Sequence, residues 1–123
     1  METKHDKPRT PAEVISRAMA IWGPDGEHWC RYRLKKGDSY CLVGALSKAA
    51  YGKHSYAHLK DYKLHPKAKR TALSRAYAFV EKYIPSHIAM TQVNDNSSFK
   101  EVKSLMCSAL KDALAEEEVG GRV

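Results

Sequence analysis

Apolar residues recur at helical spacing in four stretches of the chain. In the first, Val14, Ile15, Ala18, Met19 and Trp22 share one face. Thr10-Pro11-Ala12-Glu13 stands ahead of them as a start signal. Thr10 can cap the helix, Pro11 suits the first helical position, and Glu13 completes a capping box. Gly23-Pro24-Asp25-Gly26 then supplies turn chemistry. The second stretch runs over residues 40–51, with Ser39 as its expected cap and Leu42, Ala45, Leu46 and Ala49 on one face. Gly44 lies in its interior, where glycine costs about 0.5–1 kcal/mol relative to alanine. A helix that accepts that cost usually lets something pack against its backbone.

The third stripe spans residues 67–84: Ala68, Ala72, Leu73, Ala76, Tyr77, Val80, Tyr83 and Ile84, closed by Pro85. The fourth is the most regular. Ser98-Phe99-Lys100-Glu101 is a second capping box, followed by Val102, Leu105, Met106, Ala109, Leu110, Ala113 and Leu114. One segment has period two instead. From Trp29 to Leu34, Cys30, Tyr32 and Leu34 point one way and Arg31 and Arg33 the other. With Lys36-Gly37-Asp38 as a turn, a small β-hairpin is expected near residues 29–40. Residues 53–66 read as an irregular loop or a helical turn, 86–93 as an extended link, and Asn94-Asp95-Asn96-Ser97 as a turn.

The expected fold is therefore mainly α. About four helices, arranged around the short buried central helix 40–51, form one compact domain over residues 10–117, the helices 10–22, 67–84 and 98–117 burying it. Residues 1–9 are expected to be a flexible leader and 118–123 a frayed tail. Met19, Trp22, Phe79 and Met106 are expected in the core.

Composition narrows the setting. The chain has 123 residues, 43% of them apolar, enough for one core. No apolar run approaches the roughly 18 residues of a membrane span, and no signal-peptide core is present. The expected location is the cytoplasm. Cys30, Cys41 and Cys107 are odd in number and contain no Cys-x-x-Cys pair, so free thiols are expected.

The net charge of +7 is unevenly placed. Arg31, Arg33, Lys35 and Lys36 form one cluster. A second covers residues 53–82 and includes Lys60, Lys63, Lys67, Lys69, Arg70 and Arg75. Such a surface favours nucleic acid or an acidic protein, and it equally suits a solvated helix face. Arg31, Tyr32, Arg33, Tyr56, Lys60, Tyr62 and Lys63 interleave cations with stackable rings, as unpaired bases require. No helix-turn-helix signature, RNP motif or Gly-rich phosphate loop accompanies them.

Two further constellations compete with structural readings. Cys41 in a first helical turn, His87 and Asn94 follow the order of a cysteine nucleophile, its base and an orienting amide. The competing reading makes Cys41 and Gly44 close packing and Asn94-Asp95 a turn. His28, Cys30, Cys41, His54 and His58 offer metal ligands. Their spacing matches no standard zinc site, and no metal or cofactor is expected.

Four features stand in order: the first helix ending in Trp22, Tyr40-Cys41-Leu42-x-Gly44-Ala45-Leu46-x-x-Ala49, Asn94-Asp95, and a capped last helix with Val102. In this the chain resembles domain of unknown function 6197, small proteins of actinobacteria and their phages. The resemblance covers roughly residues 10–115. That family often carries a Trp directly before its Asn-Asp, where this chain has Val93. The resemblance implies a compact helical fold, a phage or mobile-element context, and a meeting in space of Cys41, Gly44, Ala45, Asn94 and Asp95. It implies no activity. The functional expectation is a non-enzymatic phage-type accessory protein. It would bind a host protein or nucleoprotein through its basic surfaces and inhibit defence or redirect host machinery. Direct nucleic-acid binding and a cysteine hydrolase using Cys41 are the alternatives.

Overall fold

The computed structural model describes residues 10–33, 35–52, 71–85 and 88–120. Among them are five helices and one hairpin: α1 (Pro11–Trp22), β1 (Lys35–Lys36), β2 (Ser39–Tyr40), α2 (Leu42–Tyr51), α3 (Ala72–Glu81), α4 (Met90–Asn96) and α5 (Phe99–Gly120). The fold is mainly α, as the periodicities predict.

Local chemistry sets the ends of α1. Thr10 Oγ1 accepts from the Glu13 backbone N–H, and Glu13 Oε1 accepts from the Thr10 N–H, both at 3.2 Å. Gly23, at φ 83°, closes the helix by donating to the carbonyls of Met19 and Ala20. Helix α2 is apolar around almost its whole circumference; only Lys48 and Tyr51 escape full burial. A helix of that kind belongs in the interior. It packs against α1, α3 and α4, while α5 lies chiefly on α1 and α3. Trp22, Ile15, Leu42, Leu46, Leu73, Tyr77, Met90 and Met106 are fully buried. Met19 and Phe79 reach the core only in part.

Several expectations need correction. The cap of α2 is Cys41, not Ser39: its Sγ accepts from Gly44 N–H at 3.4 Å. Ser39 and Tyr40 are committed to the hairpin, where Lys36 pairs with Ser39 and Lys35 with Tyr40. The alternating run 29–34 is not a continuous strand. Only Trp29 bridges Tyr40, on the side away from β1, and residues 31–33 bend. Helix α3 starts at Ala72 rather than 67, because Thr71 in an extended conformation accepts from Ser74 N–H. Lys67, Lys69 and Arg70 lie outside the described residues, as does the whole 53–66 stretch. Asn94-Asp95 is not a turn, and of the expected extended link 86–93 residues 90–93 are helical, while 86–87 lie outside the described residues. Both stretches fall in α4, whose first turn is closed by Gln92 Oε1 accepting from Ala89 N–H at 2.9 Å. At the C-terminus, helix α5 continues to Gly120, so residues 118–120 are not frayed. Finally, Tyr83 and Leu114, assigned to inward stripes, are 42% and 52% exposed.

No helix among the described residues is long and apolar enough to cross a membrane.

Candidate functional site

Helix α4 exists to hold one side chain. Its two buried residues are Met90 and Asn94, four apart on one face. Asn94 is wholly inaccessible to solvent. A buried amide must satisfy two donors and an acceptor oxygen with two lone pairs, and here every one is used. Oδ1 accepts from Trp29 Nε1 at 2.6 Å and from the Leu42 backbone N–H at 2.9 Å. Nδ2 donates to the Cys30 carbonyl at 3.0 Å and to Asp95 Oδ1 at 3.3 Å. The Leu42 N–H is one of the orphan donors of the first turn of α2. Asn94 thus ties the start of α2 to the 29–30 backbone.

Asp95, the next residue, fixes the loop beyond. Its Oδ1 accepts from the Tyr32 backbone N–H at 2.7 Å. Tyr32 stands at φ 68°, the sole non-glycine residue with positive φ among those described. That conformation costs a side-chain-bearing residue about 1–2 kcal/mol. The ring gains no burial in return, because Tyr32 is 75% exposed. This overturns its expected inward position beside Cys30. The Asp95 bond turns the backbone over, and the side chain turns with it.

Arg31 straps the loop from the other side. Its Nε and Nη2 donate to the Ser97 carbonyl, and its guanidinium lies 5.1 Å from the centroid of Trp29. Trp29 in turn packs on Phe99, with ring centroids 5.7 Å apart. The opposite wall is the hairpin. The Tyr40 carbonyl receives both Cys30 N–H, at 3.2 Å, and Trp22 Nε1, at 2.9 Å. Between Trp29–Tyr32 on one side and Lys36, Gly37 and Ser39 on the other lies an open cleft of about 800 Å³.

Around this cleft Arg33, Lys35 and Lys36 are exposed and form no ion pair among the described residues. Lys35 sits 5.9 Å from the Tyr40 ring. The acids nearby are Asp38 in the hairpin turn, Asp95 engaged at the loop base, and Glu101. The Glu101 carboxyl is held below the usual range by hydrogen bonds from the Ser98 backbone and side chain.

Of the residues expected to meet, Cys41, Gly44, Ala45 and Asn94 lie at this N-terminus of α2, while Asp95 bonds to Asn94 and to the Tyr32 backbone. Gly44 N–H reaches Cys41 Sγ, Ala45 N–H reaches the Cys41 carbonyl, and Asn94 takes the intervening Leu42 N–H. The chemistry differs from the thiolate expectation. Burial pushes the Cys41 thiol up to about 11, and the Gly44 and Val43 N–H groups only partly oppose it. At neutral pH Cys41 is a protonated capping thiol. Cys30 is also raised by burial, with Lys36 pulling it back in part. Three positions named from sequence, His87, His54 and His58, lie outside the described residues. Among the described residues no three His, Cys, Asp or Glu side chains are grouped to hold a metal ion.

The second basic cluster divides. Arg75, on α3, pairs with Glu116 of α5 at 2.7 Å. Lys60, Lys63, Lys67, Lys69 and Arg70 lie outside the described residues. Sequence reasoning missed Trp29, Ser97 and Phe99. All three act through partners more than 60 positions away in the chain, or stack on them, and no local pattern announces such pairs.

A family model described as Family of unknown function (DUF6197) matches residues 6–112. The chain belongs to that family. The matched span contains α1 through the middle of α5, and with them the whole Asn94 site. The aromatic ring that meets Asn94 is Trp29, while Val93 is only half-buried. Comparison with curated proteins and with solved structures finds no match.

Proposed function

We propose that this protein is a small non-enzymatic binding module that engages an acidic host protein or nucleoprotein through the 31–36 loop. The observation that carries the reading is the bond from Tyr32 N–H to Asp95 Oδ1, with Asn94 buried behind it. It holds the backbone beside Arg31 and Arg33 in a positive-φ conformation although Tyr32 stays 75% exposed. Strained backbone persists where surrounding structure over-determines it, and such places gather at functional sites. A loop already ordered loses less entropy on binding. Arginine and tyrosine are also the side chains that dominate interface energies. In the phage-type setting that the family resemblance implies, the partner belongs to the host, and binding would inhibit a defence component or redirect host machinery. The raised Cys41 thiol argues against covalent catalysis by this residue.

The test is affinity capture from host lysate with and without nuclease. The wild-type chain is compared with an Arg33→Glu, Lys35→Glu, Lys36→Glu triple variant. Capture of a defined partner by the wild type and its loss in the variant support the reading. Equal capture by both removes the loop from the function.

A further inference from the structure

We infer that the cleft beside Tyr32 receives single-stranded nucleic acid, with a base stacked on Tyr32 and phosphates against Arg33 and Lys36. This rests on the loop being the binding surface and names the ligand class it takes. Three observations converge. Tyr32 is 75% exposed while its backbone N–H is held by Asp95 Oδ1, so the ring is carried on an anchored backbone and stays accessible. A π-face presented in this way accepts any unpaired base, whereas the faces of duplex bases are covered by their neighbours. Next, Lys36 lines the same cleft as Tyr32, and both Arg33 and Lys36 act electrostatically on Cys30 in its wall; both cations are exposed and free of ion pairs among the described residues. Lys35, the neighbour of Lys36 in β1, projects to the opposite face over the Tyr40 ring. Lastly, the acid closest to Tyr32 is already engaged. Asp95 Oδ1 takes two N–H donors, from Tyr32 and from Asn94, which offsets its repulsion of an approaching phosphate. Arg31 is occupied at Ser97 and Trp29, so it frames the site instead of contacting the strand.

An acidic protein would use the same cations but would not require the ring. The experiment separates the two. Fluorescence anisotropy is measured on the full chain with short labelled single-stranded oligonucleotides and with duplexes of equal length. Polyglutamate serves as a competitor, and salt is varied. Single strands should bind in preference to duplex. A plot of log affinity against log salt should fall with a slope of about −1.4, from two phosphates at about 0.7 each. Tyr32→Ala should weaken binding about tenfold and leave the salt slope unchanged. Tyr32→Phe, which keeps the π-face, should bind like wild type. Circular dichroism and thermal melting of the variants check that the fold is intact. Absence of oligonucleotide binding would overturn the proposal. So would equal affinity for duplex, indifference to Tyr32→Ala, or equal loss in the Ala and Phe variants. Displacement by polyglutamate as efficiently as by an unlabelled single strand of matched charge would also overturn it, because only the strand can use the Tyr32 ring. Should the nuclease-treated pull-down still capture an acidic protein through the cations of the triple variant, the binding-module reading survives and the nucleic-acid assignment fails.

Discussion

Replacing Asn94 by alanine removes four hydrogen bonds at once from a site closed to solvent. The cost can be worked from the partners left behind. The Leu42 N–H and the Cys30 carbonyl are buried and find no water, and each abandoned group costs about 1–3 kcal/mol. Trp29 Nε1 belongs to a half-buried residue and regains solvent more readily. The sum is about 2–6 kcal/mol, a large share of the roughly 5–15 kcal/mol that holds a domain together. Urea unfolding followed by tryptophan fluorescence measures it, with an unchanged m-value as the sign that only stability moved. Asn94→Asp sharpens the test. The introduced carboxylate can still accept from Trp29 and Leu42, but its second oxygen faces the Cys30 carbonyl and the Asp95 carboxylate with no proton to donate. Protonation restores the missing donor, so the folded state binds that proton more tightly than the unfolded chain does. A carboxyl raised in this way lowers stability as pH rises through the window above its unfolded value of about 3.9. The variant should therefore lag wild type most at pH 7 and least near pH 4. A cost under about 1 kcal/mol for Asn94→Ala, or a pH-independent deficit for Asn94→Asp, would refute the reasoning.

Two other predictions are independent of this one. Iodoacetamide at neutral pH should label exposed Cys107 well before Cys41, whose rate should climb only as pH nears 11; peptide mapping that finds Cys41 labelled equally fast would contradict its burial. Gly26→Ala should cost about 2–5 kcal/mol, because φ is 76° and a Cβ would fall 2.5 Å from the Phe99 ring. Gly37→Ala, at φ 60° with nothing within 4 Å, should cost only about 1–2 kcal/mol, and equal urea midpoints for the two would count against the Phe99 contact.

What was legible in the sequence was what chemistry settles over three or four residues. Thr10 with Glu13 and Ser98 with Glu101 form the capping boxes their spacing predicts. The stripe of α1 lies where the period places it, that of α5 does so as far as Ala113, and Gly37 turns the hairpin. Helix α4 escaped notice because five of its seven residues are polar and only Met90 and Asn94 face inward. The start of α2 was misplaced because Tyr40 is claimed by two pairing partners, Lys35 and Trp29, one of them outside the hairpin. The Cys41 thiol was misjudged for a related reason. A helix N-terminus is visible in a sequence, whereas the depth of burial that outweighs it depends on where α2 finally lies. The Cys41–Asn94 grouping was anticipated through the family resemblance, and the partners that give it meaning, Trp29 and Tyr32, were not.

The bonds made by Asn94 join residues 52, 64 and 65 positions apart. Contacts of such separation close a long loop, whose entropy opposes them until other contacts have formed. On the ribosome the N-terminal part of a chain appears first. Arg31, Arg33, Lys35 and Lys36 therefore emerge as charges without a shape, long before α4 exists to bend the backbone at Tyr32. The backbone geometry at residues 31–33 is set by one of the later events of folding, so a chain cut short before Asn94 keeps its positive charge and lacks that geometry.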